Sequence, residues 1–277
     1  VSKGFIILAQ NTKTVDYIQQ AYALALSIKH SQQEKSISLI TNDTVPKKYQ
    51  ALFDQIIPIP WEDTDSRFRA ENRWKIYHVT PYDETMVLDT DMLLLEDVSE
   101  WWSYCSNYDI KFCSRVKNYK LDTIVDTFHR KTFISNNLTN PYFGLHYFKK
   151  NQAAFEFYKI LEFVITHWEF CRGTFAPLDP QEWLSMDLAA AIAIEISGLQ
   201  DQAVDKTSPL EFIHMKTPIQ GWQPIPSSWQ DTVPFLLNKK GELIVGNIKQ
   251  DKLFHYVEKN FITDDIIKKL EELINAS

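Results

Sequence analysis

The chain has 277 residues, 44% hydrophobic and 23% charged, the balance of a soluble globular protein long enough to bury one α/β core. Its net charge of −7 excludes a broad nucleic-acid or anionic-membrane surface, since such surfaces rest on clustered Lys and Arg. Three cysteines without metal-type spacing point to a reducing, cytoplasmic setting without structural disulfides. In chain order, the apolar run Phe5 to Ala9 reads as a buried strand and is too short for a signal peptide or a membrane span. A helix follows over Val15 to His30, with Ile18, Ala21, Tyr22, Ala25 and Ile28 on one stripe. Ser36 to Ile40 is a second strand, Tyr49 to Phe53 a short helix and Gln55 to Ile59 a third strand. This β-α-β-α-β rhythm is that of an open parallel sheet, whose ligands bind at strand ends where the strand order switches. Trp61 to Asn72 is a charged loop, leading into a helix that contains Trp74 to Val79 and stops before Pro81.

The next stretch carries the chemistry. Met86 to Leu88 ends a buried strand, Met92 to Leu95 resumes the apolar pattern, and between them stand Asp89, Thr90 and Asp91. In extended chain, residues i and i+2 share a face, so both carboxylates aim at one spot. Two like charges at the rim of an apolar sheet need a cation or a proton. Hard oxygen ligands at this spacing suit Mn²⁺ or Mg²⁺. Taken without its flanks, Asp-x-Asp is also a common turn in which Asp89 caps and Asp91 faces solvent. Tyr82-Asp83 through Asp97 resembles the metal-binding segment of nucleotide-sugar-dependent glycosyltransferases of the GT-A fold, most closely the retaining group that includes glycogenin-like and bacterial galactosyltransferase-like enzymes.

That resemblance implies a GT-A, Rossmann-like α/β domain over residues 1–277, with a mostly parallel sheet flanked by helices and a small antiparallel element near the C-terminus. Residues 1–97 form the nucleotide-binding half and 98–277 the acceptor-binding half. It implies that Asp89 and Asp91 hold Mn²⁺ or Mg²⁺, that Thr90 lies against the nucleotide, and that Ala9, Asn11, Thr12 and Tyr17 hold base and ribose. Lys75 is the match for a lysine upstream of the motif that contacts the nucleotide sugar; its residue-level alternative is a solvated lysine.

Farther along, Val98 to Trp102 reads as a helical turn, Asp109 to Ser114 as a strand, and residues 115 to 140 as a mobile loop or insertion without a period. Asn140 to Phe148 alternates like a strand before an amphipathic helix, Gln152 to Trp168. By resemblance, Asn140, Tyr142 and Gly144 line the sugar and acceptor pocket. Asp179, Pro180 and Glu182 fit a capping box opening a buried helix from Trp183 to Ile196, stopped by Gly198. Asp187 sits in that apolar wall and needs a donor or a polar cavity; two helices meeting near Ser185 would account for its interior position, and its residue-level alternative is that it only caps a second helix. The family places an aspartate here beside the donor sugar and the reacting carbon, which makes Asp187 a candidate catalytic residue.

Phe212 to His214 is a strand, Thr217 to Pro226 a Pro/Gly/Trp loop, and Leu236 to Val245 a hairpin around Asn238-Lys239-Lys240-Gly241. Leu253 to Lys259 resembles the family's C-terminal histidine-to-lysine segment, which assigns His255 to the metal and Lys259 to the diphosphate as a second catalytic contact. Thr263 caps a last helix, Asp264 to Ile274. The implied reaction moves a hexose from a UDP-sugar donor to a hydroxyl of a glycan, lipid-linked sugar or protein, without nucleic acid or membrane span, and a homodimer is left open. The alternatives are a non-catalytic binding module on the same fold and a sugar nucleotidyltransferase; the latter usually opens on a Gly-rich phosphate loop, and Phe5 to Tyr17 has no glycine.

Overall fold

A computed structural model describes residues 1–61, 69–124, 130–205 and 207–275. Much of the charged loop expected at Trp61 to Asn72, and part of the loop expected at 115 to 140, fall on residues 62–68 and 125–129, outside the described residues. Along the chain run β1 (Lys3–Leu8), α1 (Tyr17–Ser31), β2 (Ile37–Ile40), α2 (Lys47–Gln50), β3 (Gln55–Ile57), α3 (Ile76–Val79), β4 (Glu84–Leu88), β5 (Met92–Leu94) and α4 (Ser99–Cys105). They are followed by β6 (Ile110–Cys113), β7 (Arg115–Lys117), β8 (Thr123–Ile124), α5 (Lys131–Ser135), β9 (Tyr142–Lys149), α6 (Gln152–Thr166), α7 (Trp168–Phe175) and α8 (Met186–Ser197). The last elements are α9 (Gln200–Ala203), β10 (Glu211–His214), β11 (Phe235–Leu237), β12 (Leu243–Val245), β13 (Ile248–Lys249), β14 (Leu253–His255) and α10 (Asp264–Asn275).

The central sheet has the order β3-β2-β1-β4-β9-β6. Its first four strands are parallel, and β9 runs antiparallel between β4 and β6. Helices cover both faces, which is why β2 and β4 are buried at every residue and read as continuous apolar runs. On one face, α1 buries Ile18, Ala21, Leu24, Ala25 and Ile28 against the sheet, while its Tyr22, Ala23 and Leu26 meet the Ile266, Ile267, Leu270 and Leu273 stripe of α10. Each of the Ile and Leu side chains among them contributes about 1.5–3 kcal/mol if fully buried. On the other face, α6 and the wholly apolar wall of α8 enclose the second layer of core.

A second sheet, absent from the sequence reading, has the order β5-β14-β10-β7-β8. It starts where the central sheet stops: Asp89, Thr90 and Asp91 are the entire connection between β4 and β5. Its far edge, β7 and β8, together with α5, supplies regular structure where a periodless loop was expected. Two- and three-residue strands are too short to show a period. The expected small antiparallel element is present as β11-β12-β13.

Several helix boundaries differ from expectation: the short helix expected over Tyr49 to Phe53 lies at Lys47–Gln50, and the α-helix expected to contain Trp74 begins at Ile76. The helix expected over Gln152 to Trp168 ends at Thr166, and α7 begins separately at Trp168. The buried helix starts at Met186, near the junction expected at Ser185 and not after Asp179: Ser185 is the N-cap and accepts from the Leu188 amide at 3.4 Å, whereas the Asp179 carboxylate is taken by the Thr132 hydroxyl at 2.7 Å. A tertiary partner for Asp179 outcompetes the local capping box. Gly198 does end the helix, at φ +67°, where a side chain would be strained.

Candidate active site

The site grows from the carboxyl ends of β1 and β4. Leu8, Gln10, Thr12, Tyr17, Arg73 and Thr90 are among the residues lining a cleft of about 160 Å³ there. Thr12 shapes the turn between β1 and α1 by accepting from the Val15 amide at 2.9 Å, and Asn11 Oδ1 accepts from the Ile18 amide at 3.1 Å, satisfying a free helix N-terminal donor. Ala9 is buried and donates its amide to the Ile40 carbonyl at 3.0 Å.

The motif carboxylates do not converge in this structure. Because they occupy a turn between two sheets, the same-face rule of extended chain does not hold for them. Asp89 pairs with Arg73, and its backbone amide donates to the Gly144 carbonyl at 3.0 Å. Gly144 is glycine for a steric reason: a Cβ there would meet Asp89 Oδ2 at 2.6 Å. Asp91, 7% exposed, takes other partners. Its Oδ2 lies 2.7 Å from His255 Nε2 and also accepts from Lys259 Nζ. Burial alone would raise the Asp91 pKa; the positive charge and hydrogen bonds of His255 and Lys259 outweigh it and hold the carboxyl below its usual range. Lys259 also stands 6.0 Å from the ring of Tyr17.

His255 arrives through β14, which pairs antiparallel with β5 so that His255 lies opposite Met92. Its ring stacks on His214 of β10 at 4.7 Å. Burial, reinforced by the charge of His255, pushes the His214 pKa well down.

A second cluster joins the three remaining pocket residues. Arg130 Nη1 contacts Asp187 Oδ2 at 2.5 Å, its Nε donates to Asn140 Oδ1 at 2.5 Å and its Nη2 to the Pro141 carbonyl at 2.5 Å. Phe133 and Tyr142 close on the guanidinium, ring centres at 4.1 and 4.0 Å. Asp187, in the first turn of α8, takes its other hydrogen bond from the Phe143 amide at 2.8 Å. Burial pushes the Tyr142 phenol up to about 12, against the opposing pull of Arg130.

The structure therefore brings Asp89, Asp91, His255, Lys259, Thr12, Tyr17, Thr90 and Gly144 to one end of the sheet, with Asn140, Tyr142 and Asp187 beside them. Lys75 is not among them. It is buried, donates to the Trp61 carbonyl at 2.7 Å and lines a separate cleft. The cation that meets the motif is Arg73, two residues earlier. Burial lowers the Arg73 pKa, but Asp89, and then Asp91 and Asp187, more than restore it. A 3₁₀ turn over Arg69–Lys75 turns neighbouring residues about 120° apart, so a two-residue change of register changes the cleft that is reached. Arg130 was missed because its partners lie as far as 57 residues away; a basic residue beside an apolar strand carries no local signal of that role.

No protein-family profile and no curated protein sequence matches the chain. Solved structures do match. An active-site mutant of LgtC superimposes with a TM-score of 0.55 at 12% identity, over 99% of this chain and 95% of LgtC. The bifunctional glycosyltransferase WbbM gives 0.52 at 12% identity, over 99% of this chain and 49% of its own. The fold is that of the GT-A glycosyltransferases. GlyE of Streptococcus pneumoniae TIGR4 gives 0.41 at 13% identity over 74% of this chain, which spans 46% of GlyE.

Within this GT-A frame, the donor set at the β4–β5 turn has the chemistry for a hard divalent ion. Such an ion, at about 2.0–2.1 Å from each ligand of an octahedron, sets adjacent ligand atoms roughly 3 Å apart. The 2.7 Å between Asp91 Oδ2 and His255 Nε2 is close to that edge. Among the described residues no three His, Cys, Asp or Glu side chains form a ready cage, because Asp89 is turned toward Arg73. Two protein ligands fit an ion of the Mg²⁺ kind, which completes its shell with water and phosphate oxygens. No described helix is long and apolar enough to cross a membrane.

Proposed function

We propose that the chain is a metal-dependent glycosyltransferase moving a hexose from a UDP-sugar to a hydroxyl acceptor with retention of configuration. The observation that carries this reading is the junction of Asp91 with His255 and Lys259 at the rim of a GT-A sheet. A buried carboxylate, an imidazole and an ammonium, the last 6.0 Å from the cleft-lining Tyr17, suit a diphosphate and its counter-ion better than they suit a purely structural role.

Asp91 and His255, with Asp89, would hold Mn²⁺ or Mg²⁺, and a bound ion would offset the negative charge of a leaving diphosphate. Lys259 places a second positive charge on the same side. Thr12, Tyr17 and Thr90 line a cleft that would take the base and ribose. Asp187, held by Arg130 and the Phe143 amide, would accept a hydrogen bond from a donor-sugar hydroxyl. The buried, unpaired Cys105, Cys113 and Cys171 support a reducing compartment such as the cytoplasm.

Hydrolysis of UDP-sugars in Mn²⁺ or Mg²⁺, compared between the wild type and Asp91→Asn, tests the reading; turnover is expected only in the former. One observation favours a second reading, a non-catalytic sugar-nucleotide or protein binding module: Asp89 is committed to Arg73. Metal-dependent stabilisation by a nucleotide sugar without any hydrolysis would support that module. Neither binding nor hydrolysis would overturn the transferase reading and the sugar-nucleotide module, and leave the protein-binding module.

A further inference from the structure

Beside the Arg69–Lys75 turn, three clefts adjoin. One, of about 300 Å³, lies between Trp61, Trp74, His78 and the Lys159–Glu162 pair of α6. The next, of about 290 Å³, shares Trp61 and Trp74 and adds Glu71 and Asn72. The third, of about 370 Å³, shares Glu71, Ile165 and Thr166 and ends at Phe170. Trp61 and Trp74 stack at 5.8 Å and 12°, with His78 edge-on to both rings at 5.4 Å. Trp61 is nevertheless 66% exposed and Phe170 67%. The Trp61 backbone is pinned by Lys75 Nζ at 2.7 Å.

A held indole with an open face is costly to leave in water and suits a ligand with a flat, weakly polar side. A sugar ring has such a side: its axial C–H bonds carry partial positive charge and pack on the negative face of an aromatic ring, while its hydroxyls bond to carboxylates and amides at the rim. Glu71, Asn72 and Glu162 stand at that rim. The lining charges are of both signs, and Lys159 is paired with Glu162 at 3.0 Å. Among the described residues that mixture suits a neutral ligand and gives no cationic cluster for a phosphate. The groove neighbours the motif cleft: Asn72, which lines the groove, donates to Gln10 at 3.1 Å, and Gln10 and Arg73 line that cleft.

We infer that this groove binds the distal units of a neutral oligosaccharide whose terminal sugar is the acceptor. The inference rests on the glycosyl-transfer reading for the word acceptor, but the binding it predicts does not depend on turnover.

The test is retention of the protein on an array of neutral oligosaccharides of one to six hexose or N-acetylhexosamine units, with no nucleotide sugar or divalent ion present. Wild type is expected on chains of three or more units. Trp61→Ala is expected to lose roughly tenfold in retention, Trp61→Phe to keep most of it, and Phe170→Ala to lose only the longest chains. An unchanged melting temperature for Trp61→Ala shows that the loss is not unfolding; if it falls, the Phe and Phe170→Ala arms decide. No retention of the wild type, or equal retention by wild type and both alanine variants, overturns the inference. If glycans are retained while donor hydrolysis is absent, the transfer reading fails and the groove stands.

Discussion

His255 Nε2 lies 2.7 Å from Asp91 Oδ2 although 164 residues separate them, and β14 makes the contact by running antiparallel to the strand that follows the motif. Asp91 there balances two basic groups. Asp91→Asn keeps the shape and removes the charge, so UDP-sugar hydrolysis is expected to fall at least about a hundredfold. Heat of Mn²⁺ binding, measured by calorimetry, should vanish with it. Retained Mn²⁺ affinity would show that the ion, if it binds, is held elsewhere.

Arg130 holds Asn140, the Pro141 carbonyl and Asp187 with one guanidinium. Arg130→Met leaves the Asp187 carboxylate without its cation, with an expected loss of about 2–3 kcal/mol; this is below the range for a fully buried pair because the Asp187 side chain is 27% exposed. Arg130→Lys keeps the charge but not the planar fork, so it should lose less stability while lowering kcat. Urea unfolding and steady-state kinetics on the two variants check this order.

Gly144→Ala places a methyl group on Asp89. With a projected contact of 2.6 Å, Asp89 must shift, and kcat is expected to drop by about a hundredfold, as for a misplacement of roughly 1 Å. Gly173→Ala is the control. It lies in α7 with nothing within 4 Å of its added Cβ, so it should leave kcat unchanged and stabilise by up to about 1 kcal/mol.

Acid should weaken the fold before the carboxylates titrate. Burial pushes the His146 pKa down to about 3, whereas the unfolded chain titrates near 6.5. Between those values the unfolded state binds the proton and the folded state does not, so stability is complete above about 6.5 and declines as pH falls toward 3. From pH 6.5 to 5 the loss is roughly 2 kcal/mol. His214, lowered mainly by burial, adds in the same direction. Urea midpoints at pH 7 and 5 measure the slope, and His146→Gln should flatten it.

The sequence by itself determined the central sheet, the metal-type motif and most helix positions. The strands at Phe5 and Met86 are buried on both faces, and their apolar runs say so without reference to any partner. Gly198 marks a helix end because only the backbone at that position decides it. Asp91, His255 and Lys259 could be named from the family-like segments that carry them. Their meeting could not be read locally, because it depends on a five-stranded sheet built from short strands far apart in the chain. Only the tertiary structure decided that Asp89 turns to Arg73, that Lys75 serves another cleft, that Asp179 leaves its capping box for Thr132, and that Arg130 unites the pocket. The physical reason is common to all four: a charged or polar group entering the interior takes the partner that best satisfies it, and that partner is set by packing between distant segments.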